Sequence, residues 1–295
     1  VKIELTGRCN YRCGFCALRT RQNQPKGDMG FDLFRRATGD MRCCGVEEIG
    51  LFYLGESFSA PRLLVDAIRW CKREMEFPYV FLTTNGSLAD RATVEDCLAA
   101  GLDSLKFSVN AADEWQFEQV MGVKGSLWRR ALLNLQAARA VRDEGGFKCG
   151  IYASSIRYDG AQQAKMEAML EREVLPYVDE HYWLPLYGQM THWNEDRTAS
   201  LGYVPTAGNQ GRIGALRNPL PCWSCFSEGH VTADGILTAC CFDSDGRFAM
   251  GDLRTTPFMA AWHSEKFRQI RRAHLAKNVV HTICEDCLAY AADAE

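Results

Sequence analysis

From its N-terminus the chain alternates between two patterns. Short runs switch between apolar and polar at every residue, and longer stretches carry an apolar residue every three or four positions. The first period is that of a half-buried strand, the second that of an amphipathic helix. Strands are predicted at VKIEL (1–5), EIGLFYL (48–54), YVFLTT (79–84), SLKFSV (104–109), KCGIYAS (148–154) and HYWLPLY (181–187). Helices are predicted between them. FDLFRRATGDM sets Phe31, Phe34 and Met41 on one face, and PRLLVDAIRWCKREM opens at Pro61, whose missing N–H costs little in a first turn. SLWRRALLNLQAARAVRDEGG runs from a Ser126 cap to a glycine pair, and GAQQAKMEAMLEREVL follows the fifth strand.

Six βα repeats imply a parallel sheet with right-handed crossovers. Six is two fewer than a closed (β/α)8 barrel needs. The expected fold class is therefore α/β, a partial, open (β/α)6 TIM-like barrel. In such sheets functional residues gather at the C-terminal ends of the strands. Near residue 188 the pattern gives way to a segment rich in Gly, Pro, Asn and Thr. After it come a hairpin, GHVTADGILTACC, turning at Asp234-Gly235, a helix, TTPFMAAWHSEKFRQIRRAHLA, and a tail with Cys284 and Cys287. The expected division is a barrel at 1–190, a linker or substrate-site loop at 191–221, and a small module at 222–295. A module of roughly 75 residues usually needs a metal staple.

The composition, 47% hydrophobic and 24% charged, is that of an ordinary globular protein. With 34 basic against 37 acidic residues and no basic run, nothing marks a nucleic-acid-binding surface. No signal-peptide pattern and no apolar run of membrane-spanning length is seen, so a cytoplasmic location without a membrane partner is expected. Fourteen cysteines in such a chain suggest metal or redox chemistry rather than disulfides. Cys71 and Cys97 sit at helical spacing among apolar residues and Cys149 on a strand, so all three are expected to pack. Cys43 and Cys44, at a helix end, are also expected to pack. The rest fall in two groups: Cys9, Cys13 and Cys16, then Cys222, Cys225, Cys240, Cys241, Cys284 and Cys287.

CNYRCGFC, residues 9–16, follows the first strand directly. Its three thiolates suit a four-iron cluster with one iron left open to a small molecule. The run resembles the signature of the radical S-adenosylmethionine (SAM) superfamily. The resemblance implies that SAM fills the fourth place through its amino and carboxylate groups. It implies too that one-electron reduction cleaves SAM to a 5′-deoxyadenosyl radical, which takes a substrate hydrogen. A flavodoxin- or ferredoxin-type electron donor is implied with it. Phe15 matches the aromatic residue beside the adenine. Gly55, Glu56 and Ser57 resemble the GGEP motif at the methionyl amine, with Leu54 and Ser57 departing from it. Asn85, in Thr84-Asn85-Gly86, ends the third strand, and Ser108 and Asn110 at the end of the fourth would face the SAM ribose and carboxylate.

PCWSC, VTADGILTACCFD, AWHSEKFRQIR and ICEDC together resemble the Twitch/SPASM auxiliary-cluster domains. The resemblance implies one auxiliary [4Fe–4S] cluster on Cys222, Cys240, Cys284 and Cys287. Two other sets stay open. Cys222, Cys225, Cys284 and Cys287 would make a tetrahedral zinc site but leave Cys240 and Cys241 without a role. Cys222, Cys225 and Cys240 would make an open three-ligand cluster, as in the molybdenum-cofactor cyclase branch, whose C-terminal motif differs.

Neighbouring side chains on a strand point to opposite faces, so Cys241 is expected to turn away from the cluster of Cys240, toward the barrel mouth. There its thiol would return a hydrogen atom to a substrate radical, or simply pack. Small Twitch enzymes of this size resemble members that act in aminoglycoside biosynthesis, among them an aminocyclitol dehydrogenase and a neomycin C epimerase. Cys241 favours epimerisation of an aminoglycoside-type small molecule. The alternatives are a dehydrogenase using the auxiliary cluster as electron acceptor, a peptide-modifying SPASM enzyme, and a non-catalytic iron–sulfur or zinc scaffold. Asp243, Asp245, Glu195 and Asp196 are candidate partners for a polyamine sugar, and His192 and Trp193 candidate pocket residues, though all six also read as surface or packing residues.

Overall fold

The structure, a computed structural model, describes residues 1–16, 18, 21, 24–158, 160–184, 221–241 and 248–285. Cys287, His192, Trp193, Glu195, Asp196, Asp243 and Asp245 lie outside the described residues, as does almost all of the 191–221 linker. Six strands pair in parallel: β1 (Lys2–Ile3), β2 (Glu48–Gly50), β3 (Tyr79–Thr84), β4 (Ser104–Ser108), β5 (Gly150–Ile156) and β6 (Glu180–Leu184). The first two are shorter than their apolar runs. Past Gly50 and Ile3 the backbone leaves the ladder to bond across loops, Met29 N–H to the Leu5 carbonyl (2.8 Å) and Glu56 N–H to the Arg8 carbonyl (2.8 Å).

The helices are α1 (Phe31–Cys43), α2 (Pro61–Arg69), α3 (Arg91–Ala100), α4 (Glu114–Met121), α5 (Ser126–Gly145) and α6 (Gly160–Glu173). α2 ends earlier than its pattern and continues through a wider turn at Trp70–Glu74. α5 is preceded by Gly125, so Ser126 is its first helical residue rather than its cap. α4 was not among the predicted segments and α3 only as the helical spacing around Cys97, yet each carries both end signals. Asp90 and Asp113 accept from Thr93 N–H and Gln116 N–H at the starts, and left-handed Gly101 and Gly122 close the ends.

One face of the sheet, with Ile3, Ile49, Val80, Leu82, Leu105 and Ile151, is buried. By the strand alternation the opposite face lines the barrel lumen. Cys71, Cys97 and Cys149 are buried as expected. Cys43 and Cys44 are exposed, which corrects the packing expectation: the buried residues of α1 end at Met41, and both cysteines fall beyond them.

The C-terminal module joins this sheet. β7 (His230–Val231) pairs in parallel with β1, β8 (Ile236–Thr238) returns antiparallel, and β9 (Gly251–Asp252) follows at the edge. The strand order is β6-β5-β4-β3-β2-β1-β7-β8-β9. Gly235 takes the left-handed conformation (φ 87°) that the predicted turn requires. Short α7 (Ser224–Ser227) precedes the hairpin, and the single predicted helix is two, α8 (Phe258–Trp262) and α9 (Glu265–Leu275), split where Ser264 caps the second. No described helix is long and apolar enough to cross a membrane.

Candidate active site

Cys9, Cys13 and Cys16 lie half-buried at the C-terminal end of the strands. Arg12 N–H to the Met121 carbonyl (2.9 Å) and Gly14 N–H to the Val120 carbonyl (2.8 Å) pin their loop to the end of α4. Cys16 N–H reaches back to the Cys13 carbonyl (3.1 Å). Burial pushes the Cys9 thiol up to about 12 and raises Cys16 as well, so a metal binding here must displace protons. Phe15 packs at the edge of the core.

The Gly55 segment docks directly on this loop. A Cβ at position 55 would stand 1.8 Å from the Thr6 carbonyl oxygen, so only glycine permits the approach. Its N–H donates to Glu4 Oε1 (3.1 Å). The Glu56 carboxylate is buried and fully occupied, accepting from Thr84 Oγ1 (2.9 Å), Asn85 N–H (2.8 Å) and Phe58 N–H (3.1 Å). Ser57 Oγ donates to the Leu51 carbonyl (2.5 Å). These two side chains therefore hold the fold. What the segment offers outward is backbone: among the described residues the Leu54 and Gly55 carbonyls accept no hydrogen bond. Two such acceptors suit an ammonium group, as the methionyl end of SAM carries.

Asn85 spends its amide on the cysteine loop. Nδ2 donates to Asn10 Oδ1 (2.9 Å) and stands 4.0 Å from Cys9 Sγ, while Oδ1 accepts from Ser87 N–H (3.0 Å). Asn110 Oδ1 accepts from Ile156 N–H (3.0 Å), joining β4 to β5, and Ser108 ends β4 opposite Ser154. Neither contacts the cysteine loop in a hydrogen bond among the described residues.

Glu4 is a residue that motif reasoning missed. Its carboxylate pairs with Arg21 (2.9 Å), with both side chains 1% exposed, and also accepts from Ala233 N–H (3.0 Å) in the hairpin turn. It thus ties together β1, the Gly55 segment, the chain after Cys16 and the C-terminal module. The available signal was an acid interrupting the apolar run VKIEL.

The second cysteine group stands at the other end of the barrel. Lys2 is in register with His230 and His230 with Thr238, and β8 runs back toward the N-terminal end of β1. Cys240 and Cys241, just past Thr238, therefore lie at that end and not at the C-terminal mouth expected for Cys241. β8 also stops before them, so the alternation rule does not govern how the pair points. Cys241 is half-buried, and desolvation pushes its thiol up to about 12. The Tyr53 hydroxyl donates to the Cys240 carbonyl (3.2 Å) and reaches that of Cys241 (3.5 Å).

Cys225 Sγ donates to the Cys222 carbonyl (3.2 Å). His274, also missed, links two of the expected ligands. Its Nδ1 accepts from Cys222 N–H (3.3 Å), which leaves Nε2 to carry the proton and donate to Cys284 Sγ (3.3 Å). Among the described residues no three metal-ligating side chains converge on one ion-sized point. In a four-iron cluster each thiolate takes a different iron, so its ligands need not converge in that way.

Between the two ends the lumen holds a cavity of about 520 Å³, walled by Phe52, Phe81, Tyr152 and Tyr182 and carrying Lys2 and Lys106.

Comparison with known proteins agrees with this arrangement. A family model described as the radical SAM superfamily matches residues 3–169, and one described as the SPASM iron–sulfur cluster-binding domain matches residues 222–288. A GTP 3′,8-cyclase of Synechococcus sp. (strain CC9902) is 28% identical over 291 residues, spanning 86% of this chain and 82% of its own. A PqqA peptide cyclase of Granulibacter bethesdensis (strain ATCC BAA-1260 / CGDNIH1) is 24% identical over 143 residues, 48% of this chain and 36% of its own. In fold the chain is similar to Streptococcus suis SuiB bound to S-adenosylmethionine (TM-score 0.69, 13% identity, covering 99% of this chain and 76% of that one). It is similar too to BtrN in complex with AdoMet and 2-DOIA (TM-score 0.58, 15% identity, 94% and 86%). The chain belongs to the radical SAM superfamily, as a member that carries a SPASM domain and uses [4Fe–4S] clusters with S-adenosylmethionine.

Proposed function

We propose that the protein is an isomerase that inverts a carbon centre of a small molecule held in the barrel lumen. The observation that carries this reading is the position of Cys241, half-buried past β8 at the end of the barrel opposite Cys9, Cys13 and Cys16. In this proposal those three cysteines hold the SAM-binding cluster, and Cys222, Cys240, Cys284 and Cys287 hold one auxiliary cluster. The barrel at 1–190, the loop at 191–221 and the module at 222–295 keep the roles expected of them. When bound, the reduced cluster and SAM supply a 5′-deoxyadenosyl radical able to break a substrate C–H bond.

The chain's own residues set the outcome. Removal of hydrogen from one side and its return from the other inverts the centre. The S–H form of Cys241 is the one that can give up a hydrogen atom. In balance, one substrate C–H bond and the S–H bond break, one new C–H bond forms on the substrate from the thiol hydrogen, and the hydrogen taken from the substrate would leave on 5′-deoxyadenosine. The thiyl left on Cys241 regains an electron and a proton, the electron coming from a flavodoxin- or ferredoxin-type donor. Two relatives are named for cyclisation, of GTP and of the PqqA peptide, so the fate of the radical is argued from this chain's residues. The aminoglycoside-type polycation expected from the sequence would meet the ammonium of Lys106 in this lumen, Lys2 being paired with Glu228, so the substrate we assign is a small molecule of other charge.

The test is turnover in deuterated water with SAM and a reductant, on a panel of neutral, acidic and phosphorylated sugars with an aminoglycoside as control. A product one mass unit heavier, lost in Cys241→Ala while 5′-deoxyadenosine still forms, supports hydrogen return from Cys241. A product two units lighter makes the enzyme an oxidoreductase that draws electrons into the auxiliary cluster, and Cys241 a packing residue.

A further inference from the structure

Lys106 projects from the middle of β4 into the lumen cavity. Its Nζ stands 5.3 Å from the centre of the Tyr182 ring. Among the described residues it has no carboxylate partner and no hydrogen-bond acceptor. The other lysine of the cavity differs, since Lys2 Nζ is paired with Glu228 at 3.1 Å. A ring face offsets only part of the cost of a desolvated ammonium, about 0.5 to 2 kcal/mol. Burial and the charge of Lys2 press on the same group and lower it from the ordinary lysine range to about 8. A half-buried cation with no counter-charge, facing a cavity large enough for a small ligand, is stabilised by an anion that enters with that ligand.

We propose that Lys106 binds an anionic group of the substrate, a carboxylate or a phosphate, in the barrel lumen between the two cysteine groups. The aromatic walls would then take the uncharged body of the substrate, with the charged group anchored at β4. This rests on the reading of the lumen as the substrate site. Glu180 also lines the cavity, from the N-terminal end of β6 where it is exposed, and it makes no ion pair with Lys106. Lys106 is the specificity-determining residue in this arrangement: it admits acids and phosphates and disfavours amines.

The experiment uses the reconstituted holoenzyme with SAM bound and needs no turnover. Amines are acylated with acetic anhydride at matched ionic strength in the presence of glucose 6-phosphate, glucuronate or glucose, and labelling is read by mass spectrometry. Exposed Lys26 serves as the internal control. Glucose 6-phosphate, glucuronate or both should slow acylation of Lys106 and leave Lys26 unchanged, with glucose without effect; which anion protects identifies the source of the charge. Calorimetric titration should show that anion binding at least about tenfold tighter than glucose, an advantage lost in Lys106→Met and kept in Lys106→Arg. Thermal melting of both variants checks the fold. If neither anion protects, or if folded Lys106→Met keeps the advantage, the anion site is overturned. Deuterium return from Cys241 is read separately, so either reading can fail without the other.

Discussion

The two ends of the barrel hold cysteines in contrasting ways. At the C-terminal end, strand ends and loops are knitted by buried polar groups: Glu4 with Arg21, Gly55 and Ala233, and Glu56 with Thr84, Asn85 and Phe58. At the N-terminal end, among the described residues, Cys225 Sγ donates to the Cys222 carbonyl and His274 links Cys222 to Cys284. The first end is organised by buried side-chain bonds of the fold, and a small module on a sheet edge, like the second, is the kind of element that a metal staples. On the proposed assignment, one end presents SAM in a set geometry, while the other assembles around a cluster.

Breaking the stronger end should have the largest effect. Glu4→Gln leaves Arg21 buried without its counter-charge and should cost about 3 to 5 kcal/mol, read by denaturant unfolding. A loss under about 1 kcal/mol would show that the C-terminal end does not rest on this pair. Gly55→Ala forces the Gly55 segment off the cysteine loop at a cost of about 1 to 3 kcal/mol, and SAM affinity should fall about tenfold or more. Unchanged affinity would remove that segment from the SAM site.

The weaker end gives smaller and more local effects. His274→Ala removes the link between Cys222 and Cys284, worth about 1 to 2 kcal/mol, and should lower iron bound per chain while the spectrum of the SAM-binding cluster stays intact. Chelation of all iron should release amide protection in hydrogen exchange at 222–241 and 265–285 and leave β3 to β5 protected. Equal loss at both places would erase the contrast between the ends.

The smallest effect concerns the lumen between them. Lys106 faces Lys2, Glu180 and the phenols of Tyr79, Tyr152 and Tyr182. Burial pushes Tyr182 up to about 12 and raises Tyr152, so these two stay neutral near pH 8. Lys106 binds an anion only as the ammonium. With its titration lowered to about 8, affinity should be full below that pH and fall above it by up to about tenfold per unit. A flat profile between pH 7 and 10 would separate anion binding from Lys106.

Hydrophobic periodicity placed all six parallel strands: β1 to β5 each carry buried residues, and β6, exposed at Glu180 and half-buried beyond it, was legible from its aromatic run. It overran β1 and β2, where the backbone leaves the ladder to reach loops distant in sequence. It passed over α4 and saw α3 only around Cys97, though the aspartate and glycine caps of both were better evidence than their apolar spacing. The radical SAM signature was legible because Cys9, Cys13 and Cys16 lie within one loop.

By itself the sequence determined the barrel, the family and both cysteine groups, since local spacing carries each of them. Only the tertiary structure decided that the groups stand at opposite ends of the sheet, because that follows from β7 pairing with β1 and β8 running back, pairings that join the two ends of the chain. The same distance hid Glu4, His274 and Lys106. Each is an ordinary residue in its own segment, and its role comes from what the fold places, or leaves out, beside its charge or ring.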